Sequence, residues 1–294
     1  MRAVNIESLG FIGLGVMGEA MCRNLTTRGS WPVTAFDVKP EPLARAVEAG
    51  ASKASSAGEI MDTTDMVITC LPGGDEVRKL VLGGDGLINR VRAGQFLVDM
   101  STSQPSLMEE IAEVARDRDA HFADAPIART RQAAADGTLA IMVGADQAVF
   151  DAIYPVLFTM GTDVVHCGGP GAGQVVKTMN NMVLFQTVAA LAEALCIAER
   201  SGVDGNTLLN AMSKGSGDSF ALRNHGIKSL LPEIYPGQAF SVKYAAKDLS
   251  YALDAARQHG VRTPGAQSVA KLFEQAIAAG DGDRYFPVIR RLLA

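Results

Sequence analysis

The chain has 294 residues, 48% of them hydrophobic and 20% charged, with 27 Lys+Arg against 32 Asp+Glu and a formal net charge of −5. That length accommodates one large domain or two ordinary ones around a substantial core. The acidic balance leaves no electrostatic footprint for nucleic acid or an anionic membrane, so neither partner is expected, and a bound anion must be met by a few local groups.

In chain order, "LGFIGLG" is a short apolar run ending in glycines, and "VMGEAMCRNLTTRG" after it has helical character. "PVTAFDV" is a β-branched and aromatic run that ends in an acid, followed by the helix candidate "PEPLARAVEAG". "TTDMVITCLPG" and "GQFLVDMST" are strands separated by helical "GDEVRKLVLG". An amphipathic helix "SLMEEIAEVARDRDA", the strands "AHFADAP" and "LAIMVG", the helix "DQAVFDAIYPVLFTMG" and the run "DVVHCGG" complete the series. Strand and helix alternating at this spacing predict an α/β fold with a parallel, doubly wound Rossmann-type sheet. Beyond "CGGPGAGQ" the pattern becomes wholly helical, starting with one long helix from Val175 to about Arg200, roughly 40 Å at 1.5 Å per residue. The expected division is residues 1–168 and an all-α domain of residues 169–294, joined by that long helix.

The four cysteines (Cys22, Cys70, Cys167 and Cys196) are scattered without a C-x-x-C pair, and the four histidines are equally dispersed. Reduced thiols, a cytoplasmic setting and no metal site are therefore expected. Glu7 stands where a leader would have its apolar centre. The richest apolar stretch, "VAALAEALCIA", is broken by Glu193 and reads as too short to span a bilayer.

"GFIGLGVMG" places Gly13, Gly15 and Gly18 as G-x-G-x-x-G between a strand and a helix, with Met17 inside the motif and Asp37 at the end of the next strand. The first glycine permits the tight turn, the second lets backbone approach a pyrophosphate, and the third lets helix and strand pack closely. The helix N-terminus then offers free N–H groups to the phosphates. A carboxylate at Asp37 accepts from both ribose hydroxyls and repels a 2′-phosphate, which favours NAD(H) over NADP(H), although Lys39 two residues on softens that repulsion. Leu71 and Pro72, in "CLPG", fall at the strand end where such sheets bind ligands; the same residues also read as a plain turn. Lys177, Asn180 and Asn181 follow i, i+3, i+4 spacing and so share a helix face, which points either to function or to the solvated start of a helix.

Together these blocks resemble the β-hydroxyacid dehydrogenase family over nearly the whole chain. The resemblance rests on "GFIGLGVMGEAMCRNL", "DMSTSQP", "DAPIARTRQAAADGTLAIMVG", "GAGQVVKTMNNM" and "KDLSYALDAARQHG", in that order. It implies an NAD(P)-dependent enzyme with a helical second domain that supports a homodimer or homotetramer. It also implies Lys177 as catalytic acid/base, Asn181 orienting the substrate with Asn180 beside it, Ser101 and Thr102 as substrate hydroxyls, and Lys247 near the cofactor with Asp248 as its partner. A plain surface lysine remains an open reading of Lys247.

Where the family pattern has Ser-Gly-Gly after "DAP" and an apolar residue, this chain has Ala128, Arg129 and Thr130. That departure looks like the 3-sulfolactaldehyde reductase branch and implies Arg129 gripping the anionic tail of a small substrate, with Thr130 beside it. A guanidinium suits carboxylate, sulfonate or phosphate oxygens alike. The carboxylate substrates 3-hydroxyisobutyrate, tartronate semialdehyde and 4-hydroxybutyrate with succinic semialdehyde stay open beside the sulfonate. So do two other readings, a non-catalytic dinucleotide-binding protein and an imine reductase; Lys177 in register with Asn181 disfavours both.

Overall fold

A computed structural model describes residues 6–237 and 239–293; the first five residues of the stretch read above for a leader lie outside them. Strand β1 (Leu9–Ile12) leads into helix α1 (Gly18–Arg28), then β2 (Val33–Phe36), α2 (Pro40–Glu48), β3 (Ser52–Lys53), α3 (Ala57–Thr63), β4 (Met66–Thr69) and α4 (Gly74–Leu82). The series continues with β5 (Phe96–Asp99), α5 (Pro105–Arg116), β6 (His121–Asp124), β7 (Ile127–Ala128), α6 (Arg131–Asp136), β8 (Leu139–Gly144), α7 (Gln147–Leu157) and β9 (Gly161–Gly168).

Strands β3-β2-β1-β4-β5-β6 lie side by side in that order, all parallel. Period-2 alternation divides their side chains between two faces. Phe11, Met66, Ile68, Phe96 and Val98 point into a core shared with α1 and α7. Ile12, Val67 and Leu97 point the other way, into a core built with α3, α4 and α5. With both faces covered, β1, β4 and β5 are buried at every position.

The far end of the sheet departs from the all-parallel expectation. β8 runs antiparallel to β6 and β7, and β9 pairs parallel with β8. The connection from β7 to β8 holds only the short α6 and a left-handed turn at Gly137 (φ 65°). That is less chain than the dozen or more residues a parallel crossover needs, so the strand reverses instead.

The remaining helices are α8 (Ala172–Arg200), α9 (Gly205–Met212), α10 (Val242–Gln258) and α11 (Pro264–Ala278), with a π-helical segment at Leu222–Leu230. Their core is aromatic: the Phe185 ring meets those of Phe273 and Phe286 with centroids 5.4 Å and 5.2 Å apart. At 29 residues, with a window of mean hydropathy 1.6, α8 is long and apolar enough to cross a membrane by length and composition, contrary to the shorter stretch read from sequence. Packing accounts for that apolarity, because Phe185, Val188, Leu191, Ala192 and Leu195 are all buried in the helical core.

The chain divides into two compact units, Met1–Lys177 and Thr178–Ala294. The first turn of α8 packs with the first unit because it is bonded to the ends of β5 and β6.

Candidate active site

In the first unit the glycine turn has the three properties its motif requires. Gly13 has φ +97°, and a Cβ there would lie 2.3 Å from the Cys70 carbonyl oxygen. A Cβ on Gly18 would lie 2.0 Å from the Gly13 carbonyl oxygen, so this position sets how closely α1 approaches β1. At Gly15 a Cβ would meet nothing within 4 Å; the turn is open on that side. Two glycines are demanded by the protein's own packing, whereas the third faces free space, which is the cradle a pyrophosphate requires. Met17 stands immediately before α1, half-buried.

Asp37, just past β2, is fixed by backbone: Oδ2 accepts from Leu14 N at 2.6 Å and Oδ1 from Lys39 N at 2.7 Å. Each oxygen keeps a lone pair for a ribose hydroxyl. The residues present therefore fit a dinucleotide, which Gly13, Gly15, Gly18 and Asp37 would hold.

Beside the turn, the ends of β4 and β5 are knitted together. Asp99 Oδ1 accepts from Thr69 Oγ1 at 2.7 Å and from Ser101 Oγ at 2.6 Å, while Ser101 Oγ accepts from Leu71 N at 2.8 Å. A serine hydroxyl has one proton, and here it goes to Asp99. Buried Ser101 thus holds the Leu71–Pro72 segment in place and has a single acceptor site left. Thr102, next along, is half-buried.

The "ART" corner is occupied by the chain itself. Thr130 Oγ1 accepts from Ala133 N at 3.2 Å and so caps α6. Arg129 has φ +88°. Its Nη1 donates to Thr138 O at 2.7 Å and to Thr162 Oγ1 at 3.2 Å, and its Nη2 pairs with Asp163 Oδ2 at 2.7 Å. Both partners of the ion pair are open to solvent, the side chains 39% and 54% exposed.

Two buried residues that carry no sequence signal of their own, Asp124 and Gln174, organise the start of α8. Asp124, at the end of β6, accepts from Gly171 N (2.6 Å) and Gln174 N (2.8 Å). Burial raises its carboxyl to about 7 against those two amide bonds, which lower it. Gln174 donates from Nε2 to Ser101 O (2.8 Å) and accepts at Oε1 from Ser103 N (3.0 Å). Gln174, Lys177, Thr178 and Asn181 follow i, i+3, i+4, i+7 spacing, and every one of them is buried. The inward polar stripe is therefore these four, whereas Asn180 is exposed. Gln174 and Thr178, at helical spacing on either side of Lys177, carried the signal, but glutamine and threonine in an apolar helix do not announce themselves as Lys-Asn-Asn does.

In the second unit, Asn181 Nδ2 donates to Asp248 Oδ2 at 2.8 Å, and Asn180 Nδ2 to Asn181 Oδ1 at 3.2 Å. Lys247 Nζ lies 3.1 Å from Asp248 Oδ1, with the rings of Tyr244 and Tyr251 within 5.5 Å and 5.3 Å. Asp248 thus joins two of the residues expected at the site, Asn181 and Lys247.

Residues 8–169 match the family model described as the NAD-binding domain of 6-phosphogluconate dehydrogenase. Residues 171–293 match the one described as the NAD-binding domain of NADP-dependent 3-hydroxyisobutyrate dehydrogenase. The chain belongs to the β-hydroxyacid dehydrogenase family. It is 36% identical over 274 residues to 2-(hydroxymethyl)glutarate dehydrogenase of Eubacterium barkeri, covering 93% of this chain and 90% of that one. To 3-hydroxyisobutyrate dehydrogenase of Pseudomonas aeruginosa it is 36% identical over 286 residues, 94% and 95% of the two chains. The solved structure of Mycobacterium tuberculosis 3-hydroxyisobutyrate dehydrogenase with L-serine superposes with a TM-score of 0.88 at 31% identity, covering 98% of this chain and 99% of that one. This dehydrogenase is accordingly an NAD(P)-dependent oxidoreductase acting on CH–OH groups.

Proposed function

We propose that this dehydrogenase interconverts a short anionic alcohol and its aldehyde using NAD(H), with Lys177 as general acid and base. The observation that carries the reading is an inversion of polarity on α8. Val175 and Val176 are 42% and 41% exposed, while Lys177, the next residue, is only 9% exposed. Burying an ammonium costs several kcal/mol in general, and a solvent-facing position was one residue away; acid–base work supplies the reason for the inward placement.

The bound dinucleotide supplies the hydride acceptor or donor. In alcohol oxidation Lys177 Nζ takes the hydroxyl proton, and in aldehyde reduction it returns a proton to the carbonyl oxygen. Asn181, steadied by Asp248, orients that oxygen one helical turn further on. The two backbone bonds that aim the Asp37 carboxylate support NAD(H) over NADP(H), since a fixed negative charge repels a 2′-phosphate.

For the substrate, the names of the relatives share one chemistry: 2-(hydroxymethyl)glutarate, 3-hydroxyisobutyrate and L-serine all carry a primary alcohol one carbon away from the carbon bearing a carboxylate. That supports the carboxylate substrates. The sulfonate remains the second reading, favoured by Arg129 in place of the family's glycine. For either anion, we propose that the substrate displaces Asp163 from Arg129; an exposed pair is weak enough to exchange. All four cysteines are free thiols, which supports a reducing, cytoplasmic setting.

The test is a panel of short hydroxy acids and aldehydes bearing carboxylate, sulfonate or phosphate, assayed with NAD and NADP on the wild type and on Lys177→Ala. We expect Lys177→Ala to lose about 10²- to 10⁴-fold in kcat with dinucleotide affinity retained. Undiminished turnover of the preferred substrate by Lys177→Ala would overturn the assignment.

A further inference from the structure

Helix α8 begins without a cap of its own. The residue just before it is Gly171 (φ +90°), which has no side chain to accept from the free N–H groups of the first turn. The acceptor comes from 47–50 residues upstream: Asp124 Oδ1 takes Gly171 N and Oδ2 takes Gln174 N. The same turn is held a second time by Gln174, completely buried, whose amide bonds Ser101 O and Ser103 N in the segment after β5.

Glycines let this happen at backbone contact. A Cβ on Gly173 would lie 2.4 Å from Met142 O and 2.8 Å from Asp124 Oδ2, and one on Gly144 would lie 2.3 Å from Asp124 Oδ1. The first turn of α8 is therefore fixed against β5, β6 and β8 by four hydrogen bonds and by steric contact. Lys177 follows Gln174 by three residues, one turn along the same rigid helix. A helix that served only as packing material would not need to be tied this firmly at its start, whereas a proton donor placed one turn beyond does. Small errors in the position of a reacting group carry large rate penalties.

We infer that Asp124 and Gln174 are positioning residues that set where α8 leaves the sheet and thereby where the Lys177 ammonium is presented. This rests on Lys177 being the acid–base group. Neither residue touches the reacting atoms in this scheme; each acts through the backbone of the helix.

The test uses Asp124→Asn and Gln174→Met in the full chain. Asparagine keeps the shape but turns one acceptor into a donor facing an amide N–H; methionine keeps the length of glutamine and makes neither bond. Ile153→Val, at a buried position on α7, serves as a control that lowers Tm without touching this turn. We expect both variants to lose about tenfold or more in kcat while Kd for the dinucleotide, read by NADH fluorescence, stays within about twofold. The primary deuterium isotope effect should grow, and the amides of Gly171 and Gln174 should exchange faster.

If Asp124→Asn does not fold, Gln174→Met decides alone. The clamp is overturned if kcat merely follows Tm, as in Ile153→Val, with an unchanged isotope effect. Lys177→Ala separates the two ideas. Full turnover there removes the acid–base reading itself, whereas an inactive Lys177→Ala beside fully active clamp variants removes only the clamp.

Discussion

Replacing Asp163 by Asn and Arg129 by Gly tests whether the guanidinium at this corner is a substrate contact or a brace for the sheet edge. Arg129 is held by Asp163 at 2.7 Å, Thr138 O at 2.7 Å and Thr162 Oγ1 at 3.2 Å. If substrate must displace Asp163, removing that competitor should lower KM for the preferred anion. An exposed pair contributes little, so the gain should be at most about fivefold, with kcat unchanged. Arg129→Gly should act in the opposite direction. A charge-paired substrate contact gives a loss of about 30-fold or more in kcat/KM, borne by anionic substrates only.

Stability should barely register either change. At φ +88° a non-glycine residue carries about 1–2 kcal/mol of backbone strain, which glycine relieves. The greater freedom of glycine in the unfolded chain costs about 0.5–1 kcal/mol in return, and the exposed pair is lost. The Tm of Arg129→Gly should therefore stay within about 4 °C of wild type. Steady-state kinetics on an anionic substrate and its uncharged ester, with thermal melts alongside, give all the quantities. If Asp163→Asn leaves KM unmoved and Arg129→Gly leaves the substrate order unmoved, Arg129 is a brace and the anion is bound elsewhere.

The three motif glycines should part company. Gly18→Ala should lower Tm sharply, because its Cβ would fall 2.0 Å from Gly13 O, whereas Gly15→Ala meets no protein atom and should keep its Tm while weakening dinucleotide binding in titration calorimetry. Asp37→Ser should raise the NADP-to-NAD ratio of kcat/KM by removing the charge that repels a 2′-phosphate; an unchanged ratio would show that Asp37 does not face the ribose. Phe185→Ala, at the centre of the aromatic cluster, should cost about 3–5 kcal/mol in denaturant unfolding. Burial, then the charge of Lys228, lowers His225 to about 4. The unfolded chain therefore binds the extra proton between that value and the ordinary histidine value near 6.5. This contribution is complete above pH 6.5 and lost as pH falls toward about 4. His225→Gln should flatten that part of the stability profile, and an identical acid slope would contradict it.

Much of the site was legible because its residues are tied to local chain geometry. The roles of Gly13, Gly15 and Gly18 follow from one strand-to-helix turn, and Asp37 follows from the end of the adjacent parallel strand, so spacing alone placed them. Ser101 and Thr130 entered through the family resemblance, and spacing did not reveal that one bonds Asp99 and the other caps α6. Asp124 was present in "DAPIART" as an unremarked acid, since its partners, Gly171 and Gln174, lie 47 and 50 residues later.

Composition and periodicity by themselves determined an α/β sheet followed by a helical unit, a dinucleotide turn after β1, and a lysine one turn into a long helix. These features depend on repeats of two or 3.6 residues, which operate over a few neighbours. Only the tertiary structure decided the reversal of β8, the engagement of Arg129 with Asp163, and the fixing of α8 by Asp124 and Gln174. Each depends on which distant backbone groups arrive at one place, and a buried hydrogen-bonding group takes whatever partner the fold brings to it.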